Sequence, residues 1–492
     1  MFLLGYDIGS SSVKASLIDT GNSTTVFSDF SPQQEMVIHS EKIGWAEQDP
    51  ETWWKYLVDV TRKVLDDSKV DPADIKGIGI SWQMHGLVCV DKNHHVLRPS
   101  IIWCDSRAVP YGNDAFDKLG KEQSLSYLLN SPGNFTAAKL AWVKENEPEV
   151  YSRIFKVMLP GDYIAMKLTG RITTTIGGLS EGVFWDFKKH RVSQDVMDCF
   201  GFDDSLIPEI VPTFGDQGSV CKSAALELGL EEGTKLGYRS GDQPNNALSL
   251  NVMEPGEVAA TAGTSGVVYG VMDDYNYDPL SRINIFSHVN HSKERPRLGA
   301  LLCVNGTGIL NSWIKKELLF NRLSYQEMNS LADKSPIGAN GISFVPFGNG
   351  AERMLLNNNI GASVHNISFN NHSMGDIIRA AQEGVVFSFR FGMDIMREIG
   401  LDLQVIKAGH SNMFLSEVFR KTLSSITGSV IEIFDTDGSI GAARGAGMGI
   451  GVYTNREEAF TSLERIMVVE PDLKNKEQYQ EAYNKWKLKI NN

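Results

Sequence analysis

The chain has 492 residues, of which 42% are hydrophobic and 22% charged, with a formal net charge of −13 and a pI near 5.3. That length is more than one hydrophobic core holds, so two large domains are expected, and the acidic balance argues against an extended surface for nucleic acid. No window reaches the length of a membrane span, which sets membranes aside as partners as well.

The five cysteines, Cys89, Cys104, Cys199, Cys221 and Cys303, stand far apart without metal-type spacing, which fits a reduced cytoplasm. The apolar run at residues 1–4 ahead of Gly5 and Asp7 is too short to read as a signal or transit sequence. Residues 2–6 read as a strand entering the loop Asp7-Ile8-Gly9-Ser10-Ser11-Ser12, and residues 13–19 as the strand leaving it. Such a loop offers amides and hydroxyls to an anion, Asp7 can hold a hydrated Mg2+ against the same phosphates, and Lys14 adds a cation. An ordinary polar hairpin is the plain alternative. Asp49 is the expected N-cap of a helix with Pro50 at its first position and a core stripe of Trp53, Leu57, Val60 and Val64.

A strand over residues 75–81 delivers Trp82-Gln83-Met84-His85-Gly86 to the end at which open α/β sheets place ligands. Gln83 and His85 are suited to binding hydroxyls there, against the alternative of a structural histidine. The turn at residues 91–95, with His94 and His95, is expected to be solvated. Residues 101–107 read as a strand ending in Asp105 and Arg107, which either join the same cleft or form a local salt bridge. Residues 135–144 and 148–169 look helical, with Gly170 as C-cap, and the Thr- and Gly-rich residues 173–180 are placed on the substrate side without a specific chemical signal.

Residues 237–246 read Gly-Tyr-Arg-Ser-Gly-Asp-Gln-Pro-Asn-Asn and contain one carboxylate, Asp242. Gly241 and Pro244 flank it and predict a tight turn that aims the acid. After it a strand over 257–262, the turn Gly263-Thr264-Ser265-Gly266 and a returning strand over 267–271 repeat the layout around Asp7. Two such hairpins, each opening half of the chain, suggest a grip on one polyphosphate. Further on come a strand over 342–347, a long helix over 374–400 in which Gly384 permits close packing, and a strand over 404–407. That strand enters Ala408-Gly409-His410-Ser411-Asn412 ahead of a helix from about 415 to 427, a turn suited to adenine or simply a βα connection. The glycines of residues 438–451 lack G-x-G-x-x-G and its acidic partner, so they are read as a small-residue helix packed on a sheet. Residues 457–492 look like charged terminal helix, with disorder confined to 485–492.

Taken in order, the loop at 7–14, the segment 45–54 with Glu47-Gln48-Asp49-Pro50, Gln83-Met84-His85-Gly86, residues 103–107, 135–142 and 159–170, Gly241-Asp242, Gly263-Thr264-Ser265-Gly266, and Gly409 with Asn412 resemble the FGGY carbohydrate kinases, and within them the branch acting on D-xylulose. The resemblance implies an α/β fold of two ribonuclease-H-like domains of the actin and hexokinase type around a central cleft. Residues 1–246 would form the sugar side, 247–450 the nucleotide side and 451–492 a helical extension. It implies ATP and Mg2+, with Asp242 as catalytic base and Asp7 as the acid near the metal. Ser10, Ser11, Ser12 and Lys14 with Gly263 and Thr264 would hold phosphates, and Gly409 with Asn412 the nucleotide. Met84 and His85 would contact the sugar beside Asp242, and Gln83 and Asp105, each ending a strand-like run, are expected to join them. The activity expected is cytoplasmic phosphorylation of D-xylulose to D-xylulose 5-phosphate, and a homodimer is compatible with it.

Three departures leave the sugar open. Gln243 follows Asp242 where Asn is usual, Met354 and Leu355 replace the family's Thr-Pro, and the turn 408–414 is long. Ribulose, gluconate and glycerol stay as rival substrates, and a nucleotide-switched, actin-like binding protein is the rival of another class.

Overall fold

The computed structural model describes residues 1–490. Each half of the chain builds a mixed sheet of the same central design. In the first, Lys235–Gly241, Ile75–Trp82, Phe2–Ile8, Val13–Asp19 and Thr25–Ser31 lie side by side. The first three run parallel and the last two close antiparallel. The second sheet repeats this with Val430–Phe434, Val405–Gly409, Val258–Ala262, Gly266–Met272 and Leu298–Val304, then adds Asn284–Ser287 at one edge and Arg465–Val469 at the other. The two hairpins read from the sequence, 7–14 and 262–267, therefore occupy equivalent places in two copies of one α/β unit.

Local chemistry explains the elements. Phe2–Ile8 buries Leu3, Leu4, Tyr6 and Ile8 on both faces, as a central parallel strand covered by helices must. Helix Pro50–Ser68 starts where Asp49 accepts the Glu51 amide at 3.0 Å and stops at Lys69, whose φ of 58° is left-handed. Its Trp53, Leu57, Val60 and Val64 are buried, each stabilising by about 1.5–3 kcal/mol relative to exposure. Among the described residues no helix is long and apolar enough to cross a membrane.

Two helices cross between the halves. Asp242–Ser249 leaves the first sheet and packs on Val258–Ala262 and Gly266–Met272 of the second. Gly438–Gly449 leaves the second sheet and packs on Phe2–Ile8, Ile75–Trp82 and Lys235–Gly241 of the first, as well as on the other crossing helix. The approach admits no side chain. A Cβ on Gly5 would overlap the carbonyl oxygen of Ser439, one on Gly79 that of Ala442, and one on Gly449 that of Gly237. The expected small-residue helix on a sheet is thus present, and the sheet it covers belongs to the other half.

Several expectations are corrected. Asp242 is not on a tight turn: it is the first residue of helix Asp242–Ser249, directly after a strand. Pro244 is tolerated because first-turn amides have no helical acceptor. Residues 148–169 form helix Pro148–Tyr151, strand Lys156–Met158 and helix Pro160–Thr169, with Gly170 capping as expected through its N–H to Met166 O. The strand expected over 101–107 is only Ser100–Ile101, because Asp105 folds back on Arg107 and Ala46. The terminal segment holds helix Arg456–Ala459, strand Arg465–Val469 and helix Lys476–Lys487 rather than helix alone. Its strand pairs with the otherwise open edge Val430–Phe434, while Trp486 donates to Phe344 O at 2.9 Å. Of the tail expected to be disordered, 485–487 are helical and 491–492 lie outside the described residues. Gly384 packs as expected, its α-carbon against the Phe344 carbonyl.

Gly79→Ala is expected to destabilise the protein by about 1–3 kcal/mol or more, since neither backbone can retreat without moving a sheet. The urea midpoint reads this directly, and an unchanged midpoint would contradict the seating of the crossing helix.

Candidate active site

Where the crossing helices begin, Asp7 has two charged neighbours, Asp242 and Asp437. Asp7 is near the end of strand Phe2–Ile8 and Asp242 directly follows strand Lys235–Gly241. Asp437 caps the other crossing helix, accepting the Ser439 amide at 2.9 Å and the Ile440 amide at 3.1 Å. A Cβ on Gly438 would run into the Asp7 carboxylate, so the two halves touch at that acid. Burial raises the Asp7 pKa, and the charge of Asp437 raises it further. Asp242 is pushed up to about 7, first by burial and then by the charge of Asp7, with bonds from Gln243 opposing. Burial pushes Asp437 the same way, yet Lys14 holds it below its usual value.

Lys14, expected on the phosphates, is committed to an ion pair with Asp437. The two loops are anchored through carbonyl oxygens. In the first, Ser10 O accepts from Gln48 Nε2 at 2.7 Å and Ser11 O from the Met36 amide at 2.8 Å; Ser11 is exposed while Ser10 and Ser12 are half-buried. In the second, Gly263 O and Thr264 O accept the amides of Gly308 and Ile309 at 2.8 and 3.1 Å. Beside this second loop lies a cavity of about 820 Å3 lined in part by Gly263, Thr264, Asn412, Lys316 and Asn329, within the range of small-ligand sites. Gly409 ends the strand Val405–Gly409 and is not part of that wall; the chain reaches the cavity at Asn412, whose φ is 52°.

On the other side of Asp242, the end of strand Ile75–Trp82 presents Met84 and His85. Met84 is buried against Gly241. The half-buried His85 ring lies 4.7 Å from Phe135 and 5.3 Å from Phe286, so aromatics from both halves hold it. Its Nδ1 donates to Glu181 O at 3.0 Å, which leaves Nε2 as an acceptor. Burial holds its pKa down to about 3, helped by the charges of Lys139 and Arg353, so the ring is neutral.

Two expected sugar contacts are otherwise engaged. Gln83 turns its Nε2 inward to Gln48 Oε1 at 3.3 Å, joining the strand end to the residue that anchors the Ser10 loop. Asp105 has no exposure. Its Oδ1 accepts the Arg107 amide at 2.8 Å, and its Oδ2 accepts the Ala46 amide at 2.5 Å and Arg107 Nη2 at 2.7 Å. The local salt bridge is therefore the reading that holds, with the Arg107 guanidinium 3.7 Å from the Trp45 ring.

Other groups here were given no role from the sequence. Lys139 Nζ is buried and donates to His85 O at 2.7 Å and Ile102 O at 3.0 Å. Glu352 accepts the amides of Asn305 and Gly306 at 3.0 and 3.2 Å, and Arg353 reaches Ser281 at 3.2 Å while lying 5.6 Å from the Phe135 ring. Asn130 binds Ile285 through both main-chain groups, at 2.5 and 3.0 Å, fastening strand Asn284–Ser287 to the first half.

The family models for the N-terminal and C-terminal domains of FGGY carbohydrate kinases match residues 2–249 and 258–450. A xylulose kinase of Bacillus subtilis (strain 168) is 26% identical over 495 residues, covering 99% of this chain and 96% of that protein. The crystal structure of xylulose kinase from Rhodospirillum rubrum superposes with a TM-score of 0.89 at 24% identity, covering 100% of this chain and 98% of that one. Gluconate kinase from Lactobacillus acidophilus gives 0.90 at 21% identity, covering 100% and 97%. These structural likenesses bear out the two-domain actin and hexokinase-type fold.

Because Asp242 holds its proton more tightly folded than unfolded, the folded state loses stability as pH rises from the ordinary carboxylate range of about 4 to about 7. Asp242→Asn removes that loss. Its thermal midpoint is expected to exceed that of the wild type by a margin that grows up to about pH 7 and is then constant; an equal margin in acid and base would contradict the raised pKa.

Proposed function

The chain belongs to the FGGY family of carbohydrate kinases and is an ATP-dependent sugar kinase, and on this premise we propose that it phosphorylates the terminal hydroxyl of D-xylulose with Asp242 as general base. The observation that carries the reading is the half-buried Asp242 carboxyl, which neighbours Asp7 of the first hairpin and follows the Gly241 that packs on Met84, its pKa pushed up to about 7 by burial and the Asp7 charge. A base with that affinity takes a proton near neutral pH. The hydroxyl hydrogen passes to a carboxylate oxygen of Asp242, the sugar oxygen bonds to the γ-phosphorus, and the bond to the bridging oxygen breaks as ADP leaves. Phosphoryl transfer needs little more than this alignment and compensation of spreading charge.

Hard oxygen donors and mutual repulsion at Asp7 and Asp242 fit a divalent cation beside Asp7. Among the described residues no group of three or more His, Cys, Asp or Glu gathers to hold a metal unaided, as expected for Mg2+ that keeps waters and takes substrate phosphates as ligands. Bound there, Mg2+ would neutralise charge on the phosphate oxygens. The hairpins 9–12 and 263–266 face the phosphates, and the cavity at Asn412 takes the base.

Neutral sugar is favoured over gluconate by the engagement of nearby cations. Lys139 is buried and spent on two carbonyl oxygens, while Arg353 commits Nη1 to Ser281 and lies over the Phe135 ring, so neither stands as an uncommitted cation for a substrate carboxylate. His85 Nε2 accepts from a sugar hydroxyl, and Met84 supplies the apolar wall.

Asp242→Asn is expected to lower kcat about 10²–10⁴-fold while ATP and sugar still bind; near wild-type turnover would remove Asp242 from the chemistry. ADP release across D-xylulose, D-ribulose, D-gluconate and glycerol should give the highest kcat/KM for D-xylulose, and a higher value for D-gluconate would overturn the substrate assignment.

A further inference from the structure

Glu181, the last residue of helix Ile176–Glu181, is 1% exposed and matches no motif. Its Oε1 accepts the Trp82 indole N–H at 3.0 Å and the His85 amide at 3.2 Å. Its own main-chain oxygen accepts His85 Nδ1–H at 3.0 Å. One residue therefore binds His85 by both backbone and ring. The grip matters because His85 has φ 64°, a left-handed conformation that non-glycine residues adopt only when neighbours over-determine it. Oε2 faces the other strand end: a Cβ on Gly241 would collide with it, so the carboxyl fits only because glycine precedes Asp242. Asp242, Asp162 and Lys139 are the charged neighbours, and burial is the main cause of a Glu181 pKa well above its ordinary value. A carboxyl is a costly choice for such a place unless its acceptor atoms are used.

We propose that Glu181 is a positioning residue for sugar binding, clamping the His85 turn so that the imidazole Nε2 is held as the acceptor for a substrate hydroxyl. The assignment rests on the reading of His85 as a sugar contact. It concerns the ground-state hold on the sugar and not the nucleotide, so loss of the clamp raises the sugar KM and leaves the ATP KM in place.

The test is steady-state kinetics with D-xylulose and Mg-ATP on Glu181→Met, Glu181→Gln, His85→Ala and the double variant Glu181→Met/His85→Ala. Glu181→Met, similar in length but without a strong acceptor, is expected to raise the D-xylulose KM about tenfold with the ATP KM unchanged. Glu181→Gln keeps an acceptor oxygen and should stay within about threefold of wild type. If Glu181 acts through His85, the double variant is no worse than His85→Ala alone, whereas independent packing effects add. Additive losses, or equal rises in both KM values, overturn the proposal. If Glu181→Met does not fold, Trp82→Phe, which removes the other donor to Oε1, is expected to raise the D-xylulose KM in the same direction, and no change overturns the clamp. A His85→Ala variant with unaltered D-xylulose KM would instead refute the sugar-site reading on which the clamp rests.

Discussion

A backbone contact that tolerates no side chain governs this structure. Helix Gly438–Gly449 comes from the second half of the chain but lies directly on the first sheet, Gly5 and Gly79 meeting the carbonyls of Ser439 and Ala442. That contact fixes where the helix begins, and its beginning carries Asp437 and the Gly438 that touches Asp7. The other crossing helix begins with Asp242. Close packing of glycine on carbonyl thus decides how near three acids from both halves come. Their desolvation and repulsion then set the raised proton affinity of Asp7 and Asp242.

Two copies of one α/β unit give a site with two different walls because their loops differ, not their sheets. In the first copy the strand end after Ile75–Trp82 carries Met84 and His85, buttressed by Phe135 and Glu181. In the second copy the equivalent strand Val405–Gly409 leads instead to Asn412 and an open cavity. The strands place the residues and the insertions choose the ligand, which is the division of labour expected when function is grafted on a common fold. Asn130 and Phe286 carry the sugar side across the boundary, so the halves are fastened together there as well as at the helices.

What could be read from the sequence depended on how local its cause was. Both Gly- and Ser/Thr-rich hairpins were legible because turn chemistry is written within a few residues, and their repetition exposed the duplicated architecture. The glycines at 438–449 were legible as close packing, but not the partner sheet, whose strand Phe2–Ile8 lies more than four hundred positions earlier in the sequence. Gln83 and Asp105 were assigned to the sugar because each ends a strand-like run; Gln48 and Ala46, which engage them, are remote in sequence. Glu181, Lys139, Lys316 and Asn329 had no pattern to betray them, since a single polar residue on a helix reads as surface until tertiary structure buries it or opens a cavity beside it. The strand Arg465–Val469 was hidden by charged neighbours, and only the open edge of the second sheet explains it.

Everything in this site converges on transfer of the γ-phosphoryl group to a sugar hydroxyl rather than to water. Following ATP, Mg2+ and D-xylulose with the enzyme by 31P NMR tests it most directly. One new phosphomonoester resonance is expected to grow in step with ADP and to be absent when sugar is withheld. Inorganic phosphate appearing in its place, at a rate indifferent to sugar, would contradict it and point to a nucleotide switch on the same fold.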